Sequence, residues 1–271
     1  MIRARWLMVV FMSWTWGAGL AFGDAAPSAP ADVKPVKIRP KFPPLPERGE
    51  TGLNAPETDL IDTPTAAVLD YGGYASQTRA YAAGGVLEYA SFGVYPRIGL
   101  GASMSVDGLI GNDRSVRVRA PQLQVKYRFF DGDRYIPAFA LGFDGQGFDY
   151  SQTEKIYHNR QRGFYVVGTQ ELGLAGLQVH PSFNISDFNS NSIFGSVPVS
   201  YNIKDKATVM FEWDNIGRIN DSRVNSGLRV HLTPGLHIDF AVRGIGKGGW
   251  YPDGAPRGPE RVIQMKYTGN F

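Results

Sequence analysis

The sequence predicts an all-β fold, a single antiparallel up-and-down transmembrane β-barrel of about twelve strands, within a range of about 10–14. Three observations carry this: apolar and polar residues alternate repeatedly with a period of two, tight links alternate with long ones, and aromatic residues gather near segment ends. Composition agrees. The chain has 271 residues, 43% hydrophobic and 13% aromatic, with 33 Gly, 18 Pro and no Cys, and closed barrels use such a length as one unit. No apolar run after the N-terminus is long enough for a helical span. The absence of Cys excludes disulfides, thiolate ligands and a lipid-anchored N-terminal Cys.

The N-terminus sets the compartment. Arg3 and Arg5 precede an apolar stretch from Trp6 to about Phe22, and Ala21-Phe22-Gly23 offers small residues at cleavage spacing, so residues 1–23 read as a secretory signal peptide. Losing those two arginines takes the formal charge from +3 to +1, which leaves no basic excess to recruit nucleic acid. Residues 24–58 hold Pro27, Pro30, Pro35, Pro40, Pro43, Pro44, Pro46 and Pro56 among small polar residues and read as a Pro-rich periplasmic linker. The barrel is then expected over 59–271, with Glu57 to Ala66 as an entry segment lying across its periplasmic mouth.

Each strand follows from parity. Ile98, Leu100, Ala102, Met104 and Val106 alternate with Gly99, Gly101, Ser103, Ser105 and Asp107, and Leu123, Val125, Tyr127 and Phe129 alternate with Gln122, Gln124, Lys126 and Arg128. The same pattern returns at Leu177–Ile185, Val209–Trp213, Val224–Leu232 and Leu236–Val242. Strands are expected near 74–81, 85–94, 98–107, 121–130, 135–144, 163–171, 177–186, 193–203, 207–216, 223–232, 236–245 and 261–271, each close to the roughly 9–11 residues that cross a membrane. Tight links at Tyr95-Pro96-Arg97, Asp131-Gly132-Asp133, Ala175-Gly176, Lys204-Asp205-Lys206 and Thr233-Pro234-Gly235 belong on the periplasmic side, and an even strand count puts both termini there. Tyr89, Phe92, Tyr95, Phe129, Phe130, Tyr135, Trp213, Phe240, Tyr267 and Phe271 are expected in the interfacial girdles.

In the last segment, Arg261 to Phe271, Ile263, Met265 and Tyr267 share a face opposite Gln264, Lys266 and Thr268, and the segment ends on an aromatic residue. It resembles the C-terminal strand of bacterial outer-membrane β-barrels, a resemblance that implies an assembly signal at Tyr267 and Phe271 and, as partners, the barrel assembly machinery with outer-membrane lipid and lipopolysaccharide. Leu60-Ile61-Asp62-Thr63-Pro64-Thr65-Ala66, together with Tyr127 to Gly132 and Leu141 to Gly147, resembles the YjbH-like family of exopolysaccharide-associated outer-membrane proteins over most of residues 60–271. That resemblance implies a non-enzymatic component of surface exopolysaccharide export or assembly, working with other export components. The alternatives are a passive small-solute channel and a structural or adhesion barrel, with a lipid-modifying enzyme last.

The polar parity yields the candidate lumen residues Lys126, Arg128, Glu212, Asp214, Arg229, His231, His237, Asp239, Arg243 and Lys266, whose charges can pair across the interior. Twelve strands lie between a side-chain-filled barrel and an open channel, so a packed or plugged lumen is expected. Catalytic chemistry is tested on His180, Ser182 and Asn184, which share a strand face; residues two apart lie roughly 7 Å from one another, and no nucleophile motif surrounds Ser182. His231 and His237 flank a tight turn near Asp239 and read as satisfied lumen groups rather than metal ligands. Asp131-Gly132-Asp133 and Asp144-Gly145-Gln146-Gly147 lack full calcium-loop spacing and read as turns, so no cofactor, metal or catalytic residue is expected.

Overall fold

The computed structural model describes residues 54–271 apart from 112–114, 134, 147–149, 152–155, 158–162, 186–192, 218–221 and 247–257. The expected signal peptide, the linker up to residue 53, and His158 lie outside the described residues. Twelve staves form the wall: β1 (Gly73–Tyr81), β2 (Gly85–Tyr95), β3 (Ile98–Asp107), β4 (Gln122–Phe130), β5 (Ala138–Asp144), β6 (Gly163–Glu171), β7 in two pieces (Leu177–Val179 and Ser182–Ile185), β8 (Phe194–Ile203), β9 (Ala207–Asp214), β10 (Arg223–Thr233), β11 (Leu236–Ile245) and β12 (Glu260–Asn270). Each pairs antiparallel with its sequence neighbours, and β12 returns to β1 in a register running from Gly73↔Asn270 to Ala80↔Ile263. The sheet is therefore closed and leaves no free edge. Among the described residues no helix is long and apolar enough to cross a membrane.

Local chemistry explains the irregularities. Pro181 has no N–H to give the ladder, and β7 breaks at His180-Pro181 while the Gly168 and His180 N–H groups still donate across the gap to Pro181 and Pro198 carbonyls. β5 starts at Ala138, later than the expected residue 135, because the Asp133 carboxylate accepts the N–H groups of Tyr135 and Ile136 at 2.6 and 2.8 Å and holds them in the turn. Lys204 and Asp205 both take positive φ, 51° and 57°, the primed-turn geometry that matches hairpin twist. One end of the barrel carries the links 96–97, 131–137, 172–176, 204–206 and 234–235; the other carries 82–84 and the longer 108–121, 145–162, 186–193, 215–222 and 246–259.

The wall is apolar outside and polar inside. Leu100, Met104, Leu123, Val125, Phe129, Val209, Phe211, Phe240, Ile263 and Met265 are exposed on the exterior, while Ser103, Ser105, Glu212, Arg229, Asp239, Gln264 and Lys266 are buried within. That is the division a barrel in lipid requires. The first staves depart from it. Glu88 lies on the outer face, where its carboxylate accepts the hydroxyls of Ser76 and Thr78 at 2.7 and 2.6 Å. Tyr89, expected in a girdle, faces inward instead, because Leu87 of the same parity is fully buried and fixes the register of β2.

Residues 54–72 run inside the barrel before β1. The chain enters past the short-link end, where Asn54 Nδ2 donates to Asp205 O and Ala55 N–H to Pro234 O, so residues 54–58 belong to the barrel rather than to the expected linker. It turns at Leu60–Thr63, closed by the Leu60 N–H donating to Thr63 O and by the Asp59↔Pro64 bridge, and exits where the Gly72 N–H meets Gly93 O. At that exit a Cβ on Gly93 would fall 1.9 Å from Asp70 O, so only glycine lets the two backbones pass. This hairpin penetrates the lumen instead of lying across the mouth. Leu60 and Ile61 at its tip join Met210, Ala241 and Val262 in a buried cluster, and each such side chain contributes about 1.5–3 kcal/mol when fully buried.

Candidate functional site

The tip of the hairpin is held by groups that would be costly to bury alone. Glu212 Oε1 accepts the N–H groups of Ile61, Asp62 and Thr63, each at 3.0 Å, and Asn225 Nδ2 donates to Glu212 Oε2 at 2.7 Å. One carboxylate thus satisfies three turn N–H groups. Asp62 in turn receives Arg79 at 2.5 Å and Arg243 at 3.3 Å, and Arg243 also pairs with Glu260.

A second set grips the entering limb. Arg229, with no exposed surface, forms a two-point pair with Asp239 (Nε–Oδ1 and Nη2–Oδ2, both 2.9 Å) and donates to Asp59 O at 3.1 Å. Gln264 Nε2 donates to Asp239 Oδ2 at 3.0 Å, and Lys266 binds the Asp59 carboxylate and the Thr58 hydroxyl. Lys126 donates to the carbonyls of Thr58, Thr65 and Ala67 at 2.6, 3.2 and 3.2 Å, tying both limbs together. Burial alone would raise the Asp59 carboxyl, but Lys266 and Arg229 outweigh it and hold the group below the ordinary carboxylate range. Asp62 is lowered in the same way, with Arg79 and Arg243 overcoming burial.

The remaining candidate residues do other work. Arg128 sits 3.0 Å from Asp131 beside the short-link end, and the Asp214 carboxylate accepts the Arg223 N–H at 2.7 Å. His231 contacts Thr208 Oγ1 at 3.0 Å and lies edge-on to His237, with ring centroids 5.7 Å apart. Asp239, near His237 at 3.9 Å, is already engaged by Arg229 and Gln264, and no group of three or more acidic, His or Cys side chains among the described residues could hold a metal ion. Tyr267 and Phe271 pack on Tyr74 across the β12–β1 seam, with ring centroids 6.1 and 4.8 Å away. His180 bonds Ser200 and Thr169, each at 3.0 Å, whereas Ser182 bonds Ser196 at 2.5 Å, so Ser182 is not paired with the histidine on its own strand.

Charge pairing across the lumen therefore runs largely through the hairpin, and its acidic members Asp59 and Asp62 were not among the expected site residues. Nor was Arg79, because β1 carries polar side chains on both faces (Ser76 and Thr78 outside, Gln77 and Arg79 inside) and parity gives no sign of which is which. Among the described residues, the hairpin borders a wide space and a narrower one. A vestibule of about 840 Å³ opens at the short-link end beside Arg128, Glu171, Gln178, Ser200 and Asn202. A smaller cavity of about 150 Å³ lies between the hairpin and β1–β6, lined by Gln77, Tyr89, Ser91, Gln124, Asp144 and Tyr165 among others. Ala67 and Val68 of the returning limb line both.

A closed twelve-stranded antiparallel wall with an apolar exterior and an internal hairpin defines a plugged barrel of the membrane-spanning class. Solved barrels of similar strand arrangement include the KdgM porin (TM-score 0.45, 11% identity, covering 72% of this chain and 98% of that one) and the NanC porin (0.40, 11%, 73% and 99%). Outer membrane phospholipase A from Escherichia coli is similar at a TM-score of 0.38 and 13% identity over 81% of this chain and 96% of that one. No protein-family model matches the chain, and no curated protein matches it in sequence.

Proposed function

We propose that this chain is a non-enzymatic outer-membrane barrel whose lumen its own N-terminal hairpin closes at rest, serving export or assembly of surface exopolysaccharide. The clamp on the hairpin carries the first part: Glu212, Arg79, Arg243, Lys266 and Lys126 all direct charge onto residues 58–67, an arrangement suited to a barrel kept shut and opened on demand. The apolar exterior supports a lipid setting, and the short-link end, where the hairpin enters, is read as periplasmic, with both termini on that side. Outer-membrane lipid and lipopolysaccharide are then the partners of the exterior. The cargo class rests on the resemblance to YjbH-like proteins. Deleting the gene should abolish surface exopolysaccharide, with recovery on complementation; normal exopolysaccharide in the deletion strain would contradict the role. The second reading, a passive small-solute channel, is favoured by the vestibule of about 840 Å³ and would be supported by steady conductance from the unmodified protein.

A further inference from the structure

The cavity between the hairpin and β1–β6 shares Asp59, Asp62, Arg79, Lys126 and Lys266 with the clamp, but the rest of its lining differs in kind. Gln77 and Tyr165 are each only 7% exposed, yet among the described residues neither side chain has a hydrogen-bond partner. The Gln124 side-chain oxygen is buried without a partner too, although its amide nitrogen donates to Ser103 Oγ at 2.7 Å. Tyr89 adds a second phenol with no hydrogen bond to the described protein, and Asp144 adds a carboxylate with no ion pair among the described residues; it accepts from the Gln146 N–H at 2.8 Å and from Gln124 Nε2 at 3.5 Å. Buried polar groups are satisfied in more than nine cases in ten, roughly, so amide and phenol groups without a partner in the described protein, gathered around one space beside a carboxylate, mark what can fill it.

The space itself is made by small residues. Gly99, Gly101 and Ser91 line it where larger inward side chains would close it, and a Cβ on Gly142 would fall 2.5 Å from the Tyr165 hydroxyl, so that glycine is what seats the phenol over β5. A cavity of about 150 Å³ is the size that admits one six-membered ring. An apolar ring would leave Gln77, Gln124 and Tyr165 unmatched. A ring edged with hydroxyls satisfies them: planar amide and carboxylate groups each span two neighbouring hydroxyls, while the tyrosine rings cover apolar C–H faces.

We propose that this cavity is a carbohydrate subsite that holds one pyranose unit, with Gln77, Gln124 and Asp144 reading its hydroxyls and Tyr89 and Tyr165 its faces. The inference deepens the proposed function and rests on it for biological meaning, while the binding itself can be tested alone. The full chain, folded in detergent, is titrated with methyl glycosides of glucose, galactose and N-acetylglucosamine, and with toluene as an apolar ring of similar size, using saturation-transfer NMR. At least one glycoside should bind saturably, and any second one that binds should compete with it. Gln77→Leu and Tyr165→Phe should each weaken that binding about tenfold, the scale of one lost hydrogen bond to a buried partner. Ser91→Trp, which fills the space, should abolish it while heat-modifiable migration on gels stays normal. Binding of toluene alone, of no probe at all, or of glycosides with unchanged affinity in all three folded variants would overturn the subsite. Loss of exopolysaccharide on gene deletion without glycoside binding sinks the subsite and leaves the proposed function standing; glycoside binding with normal exopolysaccharide does the reverse.

Discussion

The two halves of the barrel wall treat the hairpin differently. From β9 through β12 to β1 the inner face presents Met210, Glu212, Arg229, Asp239, Arg243, Lys266 and Arg79, and nearly every one meets the hairpin or fixes a residue that does. From β2 to β5 the inner face presents Ser91, Gly99, Gly101, Gln124 and Gly142, with Lys126 as its one long reach onto the hairpin. The same inward parity therefore serves two ends: large charged side chains anchor a segment, and small or unmatched polar ones leave room beside it. Asymmetry of this kind lets a barrel be plugged and still hold a ligand.

Breaking the clamped half should cost the most. Arg229→Ala strands Asp239 without its two-point partner, and a buried pair broken on one side costs on the order of 3–5 kcal/mol. Urea unfolding followed by tryptophan fluorescence would measure the loss; a change below 1 kcal/mol, roughly the scale of an exposed pair, would mean that the site is wet rather than buried. Next comes the exterior of the other half: Val125→Lys should cost about 2–4 kcal/mol if that residue meets lipid near the midplane. Gln124→Lys, one residue away on the inner face, should cost much less, and equal losses would reverse the assignment of faces.

Acid should loosen the clamp. Asp59 and Asp62 are held below the ordinary carboxylate range, so their contribution is fully present above that range and fades as pH falls through their lowered values. Hydrogen exchange of residues 58–66, corrected for the intrinsic amide rate at each pH, should thus stay slow at pH 5 and accelerate only well below pH 4, about the ordinary carboxylate value. Acceleration already near pH 6 would point to another group. The smallest effect is expected at Ser91, where Ala removes no bond to the protein and stability should move within about ±0.5 kcal/mol.

How much of this was legible in the sequence follows the same division. The staves with an unambiguous lipid face, such as Gln122–Phe130, could be read because only one parity tolerates apolar residues. β1 and β2 could not, since Ser76, Thr78 and Glu88 occupy the outer parity and satisfy one another there, and Tyr89 was misplaced for that reason. Individual clamp residues such as Glu212, Arg229 and its partner Asp239 stood out as inward charges, but the hairpin groups they hold did not. Glu212 binds backbone N–H groups about 150 residues earlier in the chain, and a backbone donor leaves no trace in side-chain identity. The cavity was illegible for the converse reason: it is defined by glycines and a serine whose significance depends on what stands opposite.

The most direct test of the central claim, that the clamped hairpin closes the lumen, is single-channel conductance in planar bilayers for the full chain and for Glu212→Ala, which removes the acceptor of the three tip N–H groups. The unmodified protein should be silent, and the variant should show openings as the hairpin loosens. Steady, ungated conductance from the unmodified protein, unchanged by Glu212→Ala, would contradict it.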